Sequence, residues 1–277
     1  MTDKFKKQRK DFAPKSDRTA RPPRHASKPG FRGGYGREDN DGPVRIYGLH
    51  SVRAVLDNPR RKIKRLLVTR NAMARLEIAE GQKFKFPVEM VEPRALDKLL
   101  GSEAVHQGAM VEAEPLVPKP LKSLGDTRIV VVLDEVTDPH NVGAVMRSAV
   151  AFNAGALITT SRNSPNETGV LAKSASGALE FIDLIEVRNL AQALEELTFQ
   201  GFQTVGLDSE GPAILEETYK GDKIALVLGS EGKGLRQKTR QTVGALARLD
   251  MPGEIRSLNV SNAAALALYT AHVHLTR

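Results

Sequence analysis

The sequence predicts an α/β protein: a C-terminal parallel sheet flanked by helices, a smaller α/β domain before it, and a disordered basic tail at the N-terminus. Three observations carry this. From Arg128 onward, short apolar runs alternate with helical patterns over about 150 residues, the signature of strands laid parallel with helices on both faces. A Pro-containing stretch with little pattern precedes that region. The first 43 residues hold 12 Lys/Arg against 6 Asp/Glu, and no Ile, Leu or Val. The division expected is a tail over 1–43, a small domain over 44–115, a linker over 116–124 and the main domain over 125–277.

The tail cannot bury enough apolar surface to offset its ordering entropy. Its five Gly and five Pro point the same way. Scattered Phe5, Phe12, Phe31 and Tyr35 among the basic residues suit RNA, since Lys and Arg neutralise phosphates and aromatic rings stack on exposed bases. The alternative is a solubilising extension with no dedicated partner.

Order is expected from Val44. Val52, Val55 and Leu56 recur at helical spacing, with His50 or Ser51 near the helix start. IKRLLVT (63–69) reads as a strand, followed by a polar helix around Met73–Glu80. PVEMVE (87–92) is a second strand, RALDKLL (94–100) a helix and AMVEAEP (109–115) a third strand. Beyond the linker, RIVVVLD is the near-continuous apolar run of a buried parallel strand. ALITT, FIDLIEV, FQTVGLD, KIALVLG and ALARLDM continue the strands. A helix from about Val142, NLAQALEEL, a helix after Gly234, and VSNAAALALYTAHVHL lie between or after them.

Composition removes several classes. The 277 residues carry a formal charge of +8 and contain no Cys or Trp, so no disulfide framework, thiolate metal site or cysteine nucleophile is available. The six His are scattered, and no metal site is expected. No run approaches the roughly 18–20 apolar residues of a bilayer span, and MTDKFKKQRK is followed by no apolar core of a secretory signal. A cytoplasmic protein without a membrane partner is expected.

Ligands of parallel sheets bind beyond the carboxyl ends of the strands, and three such loops carry unusual side chains. In DEVTDPHNVGAVMRSAVAFNAG (134–155), Asn141 is a candidate helix cap. Arg147 lies about one and a half turns further along, in an otherwise apolar helix, where it either reaches a ligand or pairs with Asp134 or Glu135. In IALVLGSEGKGL (224–235), Gly229, Gly232 and Gly234 expose backbone N–H groups around Glu231 and Lys233. The order of Lys and Gly there departs from a P-loop, and no GxGxxG follows any expected strand. In LDMPGEIRSLNVSNAAALALY (249–269), Ser257, Asn259, Ser261 and Asn262 crowd the start of the last helix. That is more polarity than one cap requires.

These three segments, in this order, resemble the three motifs of the SpoU (TrmH) family of RNA 2′-O-ribose methyltransferases. NVGAVMRSAVAFNAG looks like motif one, LVLGSEGKGL motif two and MPGEIRSLNVSNAAALALY motif three. The stretch TGVLAKSASGALEFIDLIEVRNL (168–190) is also similar, and YGLHSVRAVL…IKRLLVTRNA…HQGAMVEAEP resembles the family's L30e-like substrate-binding domain. The resemblance covers about Val44 to Arg277. It implies a SPOUT-type methyltransferase domain with a C-terminal trefoil knot, S-adenosyl-L-methionine as cofactor, a homodimer, and RNA as substrate. The subgroup with this N-terminal domain acts on 23S rRNA, which implies a guanosine 2′-hydroxyl as the target.

By position, Arg147 matches the family's catalytic arginine, with Asn141, Glu231, Ser257 and Asn259 as the polar set around it. Gly206, Gly229, Leu249, Met251, Leu258 and Asn262 match cofactor-binding positions, mostly through backbone. Asp250 stands where the family usually has proline, and Pro252 follows Met251. The resemblance leaves Arg147 either as general base or as a clamp on an RNA phosphate, and Glu231 as a partner of Asn141 or Arg147. Alternatives for the whole chain are a tRNA 2′-O-methyltransferase of the same family and a non-catalytic RNA-binding ribosome-assembly protein. Arg45, Arg53, Arg60, Arg61, Lys62, Lys64, Arg65 and Arg70 form a dense basic stretch, and whether they share one face is open at this stage.

Overall fold

The computed structural model describes residues 42–79, 81–162 and 167–277. The basic tail, apart from its last two residues, lies outside the described residues.

The chain enters on β1 (Val44–Tyr47) and α1 (Leu49–Asp57), then β2 (Ile63–Val68), α2 (Arg70–Arg75), β3 (Val88–Met90), α3 (Pro93–Leu100) and β4 (Ala109–Ala113). The four strands form one sheet in the order β1-β4-β2-β3, with β4 antiparallel to both its neighbours and β3 parallel to β2. Ile46, Val52, Val55, Leu66, Val68, Leu76 and Val111 make its core. His50 and Ser51 lie in the first turn of α1, near its start as expected, and Gly48 holds the cap position. The second helix starts three residues earlier than its polar pattern suggests, because the Thr69 side chain accepts the Ala72 N–H and caps it there.

A 3₁₀ turn (Leu121–Ser123) leads to the second sheet. Its elements are β5 (Ile129–Asp134), α4 (Pro139–Ala151), β6 (Ala156–Thr160), α5 (Gly169–Ala175), a 3₁₀ turn (Ala178–Glu180), β7 (Asp183–Val187), α6 (Leu190–Phe199), β8 (Gln203–Leu207), β9 (Ala213–Ile214), α7 (Leu215–Thr218), β10 (Ile224–Gly229), α8 (Gln237–Thr242), β11 (Ala245–Arg248) and α9 (Val260–Thr276). The seven strands run in the order β7-β6-β5-β10-β8-β11-β9, each pairing parallel to its neighbours. Alternate residues feed opposite faces. Val131 and Leu133 of β5 pack with Val142 and Met146 of α4 and Leu268 of α9. Val130 and Val132 pack with Leu194 and Leu197 of α6. The α/β architecture expected of the sequence is the one observed. No helix among the described residues is long and apolar enough to cross a membrane.

Strand order reverses at β5: β6 and β7 extend to one side, while β10 and β8 lie on the other. Such a reversal opens a crevice at the carboxyl ends of the adjacent strands. Asp134 and Gly229 are paired there, at the ends of β5 and β10.

A buried ion cluster joins the two sheets. The Arg61 side chain, from the turn between α1 and β2, is fully shielded from solvent. It bonds Glu167 at 2.6 Å and both carboxylate oxygens of Glu180, one of them at 3.1 Å, while Asn58 donates to Glu180 at 2.7 Å. Burial pushes the Glu167 carboxyl up from its ordinary value, against the pull of Arg61. Outside the cluster, Arg60 and Lys119 share Asp183 at 2.8 and 2.7 Å. Gly177 has φ +88°, and a Cβ there would stand 2.9 Å from the Ala54 Cβ, so a glycine is needed where the two halves touch.

Removing one partner of a buried pair leaves an uncompensated charge. Arg61→Ala is therefore expected to lower unfolding free energy by about 3–5 kcal/mol, read from denaturant titration. Within the first sheet, the Arg65 guanidinium, with burial opposing it, holds Glu112 below the usual carboxylate value. A depressed folded-state pKa stabilises above the unfolded value and loses that contribution as pH falls. Glu112→Gln should thus be less stable than wild type at pH 7. The gap should close as pH drops below about 4, and a pH-independent gap would remove the ionic account.

Candidate active site

Three loops meet at the carboxyl edge around the crevice, and one carboxylate oxygen joins them. Oε1 of Glu231, in the loop after β10, accepts from Asn141 Nδ2 at 3.1 Å and from Asn259 Nδ2. It also lies 3.4 Å from the Val260 N–H. Asn259 Nδ2 additionally reaches Asn141 Oδ1 at 3.1 Å. One residue from each of the three unusual loops thus enters a single hydrogen-bonded cluster, facing solvent at the rim of a buried sheet.

Local sequence explains the positions. Asp138 caps α4 by accepting the His140 N–H at 2.9 Å, and Pro139 follows in the first turn, a favoured arrangement. Asn141 is therefore not the cap. It lies inside the first turn, and its side chain is free to reach Glu231. At α9 the cap is Asn259, whose Oδ1 accepts from Ser261 N at 2.8 Å while its Nδ2 serves the cluster. Asn262 is exposed within the first turn of α9 and caps nothing.

Beneath the cluster, Asp134 is fully buried and anchors the following segment. It accepts from Arg236 Nε at 2.6 Å and from the Arg236 backbone N–H at 2.9 Å. Arg236 also approaches Glu135 at 3.7 Å, so neither acid partners Arg147. Gly229 permits the tight return of the loop: a Cβ there would stand 2.1 Å from the Gly234 carbonyl carbon.

Arg147 is exposed on α4 and has no ion-pair or hydrogen-bond partner among the described residues. Six positions beyond Asn141, it projects about 240° around the helix from it and does not join the cluster. Ser257 is likewise exposed and outside it. Leu249 and Met251 are partly buried, and Leu258 is 40% exposed. Gly206 is buried in β8, where its missing Cβ leaves room for Leu235 and Leu246. Two features escaped sequence reasoning: the Asp134–Arg236 anchor, and the bond between Ser174 and His140 Nδ1 at 3.1 Å that ties α5 to the start of α4. The signal available for the first was an acid closing an apolar strand.

A parallel-sheet domain with a polar cluster at its switch point, following a small four-stranded domain, defines an α/β enzyme architecture with a separate accessory domain. Comparison with known proteins makes the assignment specific. The SpoU rRNA methylase family profile matches residues 128–269, and a profile described as RNA 2′-O ribose methyltransferase substrate binding matches 45–118. The 23S rRNA (guanosine-2′-O-)-methyltransferase RlmB of Pseudomonas putida is 36% identical over 82% of this chain and 95% of that protein. Among solved structures, the SpoU methyltransferase AviRb from Streptomyces viridochromogenes, in complex with AdoMet, superposes with a TM-score of 0.70 at 20% identity, over 84% of this chain and 90% of that one. An AdoMet-bound rRNA methyltransferase from Sinorhizobium meliloti gives 0.68 at 23% identity, over 84% and 87%. The chain belongs to the SpoU rRNA methylase family.

If Oε1 of Glu231 is what ties the loops, Glu231→Ala should leave global stability nearly unchanged and loosen them. Hydrogen exchange at the bonded amides of Gly234, Val260, Ser261 and Ala263 is expected to speed by about tenfold, the equivalent of one modest hydrogen bond. Unaltered protection would assign the cluster to crowding alone.

Proposed function

We propose that the chain transfers a methyl group from S-adenosylmethionine to the ribose 2′-hydroxyl of a guanosine in 23S rRNA. The observation that carries this is the meeting of Asn141, Glu231 and Asn259, from three separate loops, at the switch point of a SpoU-family sheet.

The residues present suit that donor. No backbone–backbone hydrogen bond among the described residues involves Met251 to Ser257, and only the Met251 carbonyl is taken up, by Arg256 Nη1 at 3.2 Å, so the other N–H and C=O groups there are open to a polar ligand. The partly exposed Leu249, Met251 and Leu258 line the same segment with apolar surface. A cofactor joining an adenine ring to a charged amino acid needs both. When bound, it supplies an electrophilic methyl group on a sulfonium.

The remaining work belongs to the side chains. The Glu231 cluster fixes the three loops so that hydroxyl and methyl are held in line. Ser257, exposed and outside the cluster, is placed to meet the ribose. Guanidinium groups stay protonated in proteins and bind phosphate bidentately, so the exposed Arg147 is the group that grips the RNA backbone beside the reacting sugar. The N-terminal sheet and the basic tail add RNA affinity. A second copy of the chain covers Leu266 and Tyr269 of α9, which are 47% and 54% exposed beside Phe152. On this reading the activity is a cytoplasmic one.

Labelled methyl from S-adenosylmethionine, offered to separate pools of unmodified 23S rRNA, 16S rRNA and tRNA, tests the reading. The 23S pool alone should yield 2′-O-methylguanosine. Label confined to tRNA would move the substrate, and no label in any pool, with no donor bound, would overturn the reading. Arg147→Ala should lower the rate at least about 100-fold with the fold intact. Full activity would remove Arg147 from the reaction.

A further inference from the structure

The acids at the carboxyl edge are engaged as acceptors within the protein. Glu231 Oε1 is taken by Asn141 and Asn259, Asp134 lies buried against Arg236, and Asp138 accepts the His140 N–H. Guanidinium groups stay protonated in proteins, so Arg147 and Arg236 have no lone pair to offer. His140 differs. It is the one histidine in the three loops, and its side chain is exposed.

Its ring is oriented from one side. Nδ1 meets the Ser174 Oγ of α5 at 3.1 Å. The two helices come this near because of Gly143, where a Cβ would stand 2.5 Å from the Ser174 Cβ and 2.7 Å from the Ala175 nitrogen. A serine hydroxyl turns to donate or to accept. When Nδ1–H donates to it, the lone pair stands on Nε2, which has no hydrogen-bond partner among the described residues. Arg147 lies seven residues further along α4, which returns it to within about 20° of His140 and about 10.5 Å along the axis. Helical side chains lean toward the N-terminus, so the long Arg147 chain leans back toward His140. Ala144 stands between them on that face and leaves it unfilled. Asn141, one position on and about 100° around, carries the Glu231 cluster on the flank of the same turn.

We infer that His140 takes the proton from the ribose 2′-hydroxyl, with Nε2 as the acceptor and Ser174 as the residue that sets its tautomer. This rests on the reading of the chain as an RNA 2′-O-methyltransferase. In the step, the 2′-oxygen bonds the methyl carbon as the carbon–sulfur bond breaks, and that bond's electron pair stays on sulfur. The hydroxyl proton passes to Nε2 and from there to water. Imidazole suits this task, since it changes charge between about pH 5 and 8. Protonation leaves the bond to Ser174 in place, because Nδ1 donates in both states. The charged groups around the ring are Asp138 and Arg147 on α4, Lys173 of α5, which lies over the Tyr47 ring, and Glu231. Glu180 of the 3₁₀ turn is held by Arg61, and His272 of α9 stacks near Phe152 at the other end of α4. A phosphate gripped by Arg147 cancels the cation that would oppose a second positive charge on the same face.

Two measurements on the full-length protein decide it. Nitrogen NMR of the imidazoles should show neutral His140 with its hydrogen on Nδ1; a hydrogen on Nε2 would overturn the inference without reference to activity. Single-turnover methyl transfer is then followed against pH, with saturating S-adenosylmethionine and the RNA pool that accepts label. The wild-type rate should rise with pH and level off between about pH 5 and 8. His140→Ala should lower the plateau at least about 100-fold, lose the rising limb, and recover rate with added imidazole in proportion to its neutral form. Its thermal unfolding and its affinities for RNA and methyl donor should match wild type. Ser174→Ala should keep the limb and lose only about tenfold, the equivalent of one modest hydrogen bond. A rate unchanged in His140→Ala, or one that falls while the limb survives and imidazole restores nothing, would overturn the assignment and leave the proposed function intact. No transfer by the wild type to any RNA would sink the proposed function, and this inference with it.

Discussion

The burial of one guanidinium governs how the two halves of this protein sit. Arg61 leaves water entirely and takes up two carboxylates that lie 106 and 119 residues further along the chain. Desolvating a charge costs several kcal/mol, recovered only when partners and geometry are right. Any other docking of the first sheet on the second would leave either Arg61 or the Glu167–Glu180 pair buried without its counter-charge. Desolvation drives the Glu167 carboxyl upward even so, against the pull of Arg61. The short connection between the sheets therefore does not act as a free tether. The accessory sheet is held in a fixed position relative to the carboxyl edge of the parallel sheet.

The same division between buried anchor and exposed working group recurs at the site. Asp134, with no exposure, holds Arg236 and its backbone, and so fixes where the glycine-rich loop ends. Glu231, in the middle of that loop, is exposed and ties together the other two. Parallel strands buried on both faces give a rigid edge, and three irregular loops can hold a common geometry on it only if something joins them. A single oxygen accepting two side-chain amides does so across segments 90 and 28 residues apart.

Much of this was legible in the sequence. Apolar runs such as RIVVVLD and KIALVLG have few alternatives to buried parallel strands, and the polar crowding at Ser257–Asn262 and around Glu231 marked the loops that converge. What was missed was short or non-local. VRIY is a strand of four residues directly ahead of a helix, and β9 with α7 spans six, too few for periodicity to register. Asn141 resembled a cap because it precedes an apolar run, yet Asp138 followed by Pro139 is the stronger start signal. The basic stretch 45–70 misled most, since a tally of charges says nothing about which arginines meet Glu112, Glu167, Glu180 or Asp183 from distant parts of the chain.

Pairing, more than count, therefore decides where this protein attracts an anion. The folded part from Val44 onward carries 29 basic against 27 acidic residues, and several of its arginines are neutralised at distances under 3.5 Å. A neutralised guanidinium has little field left for a phosphate, whereas an exposed one without a counter-charge is free to take the first anion to arrive, in competition with salt. By that criterion Arg147 on α4, and Lys64, Arg70 and Arg75 in the accessory domain, differ from the paired arginines: each is exposed and has no ion-pair partner among the described residues. The ion cluster of Arg61 sets the distance between α4 and the accessory domain, so these unpaired charges stand at a constant spacing rather than drifting with a free tether.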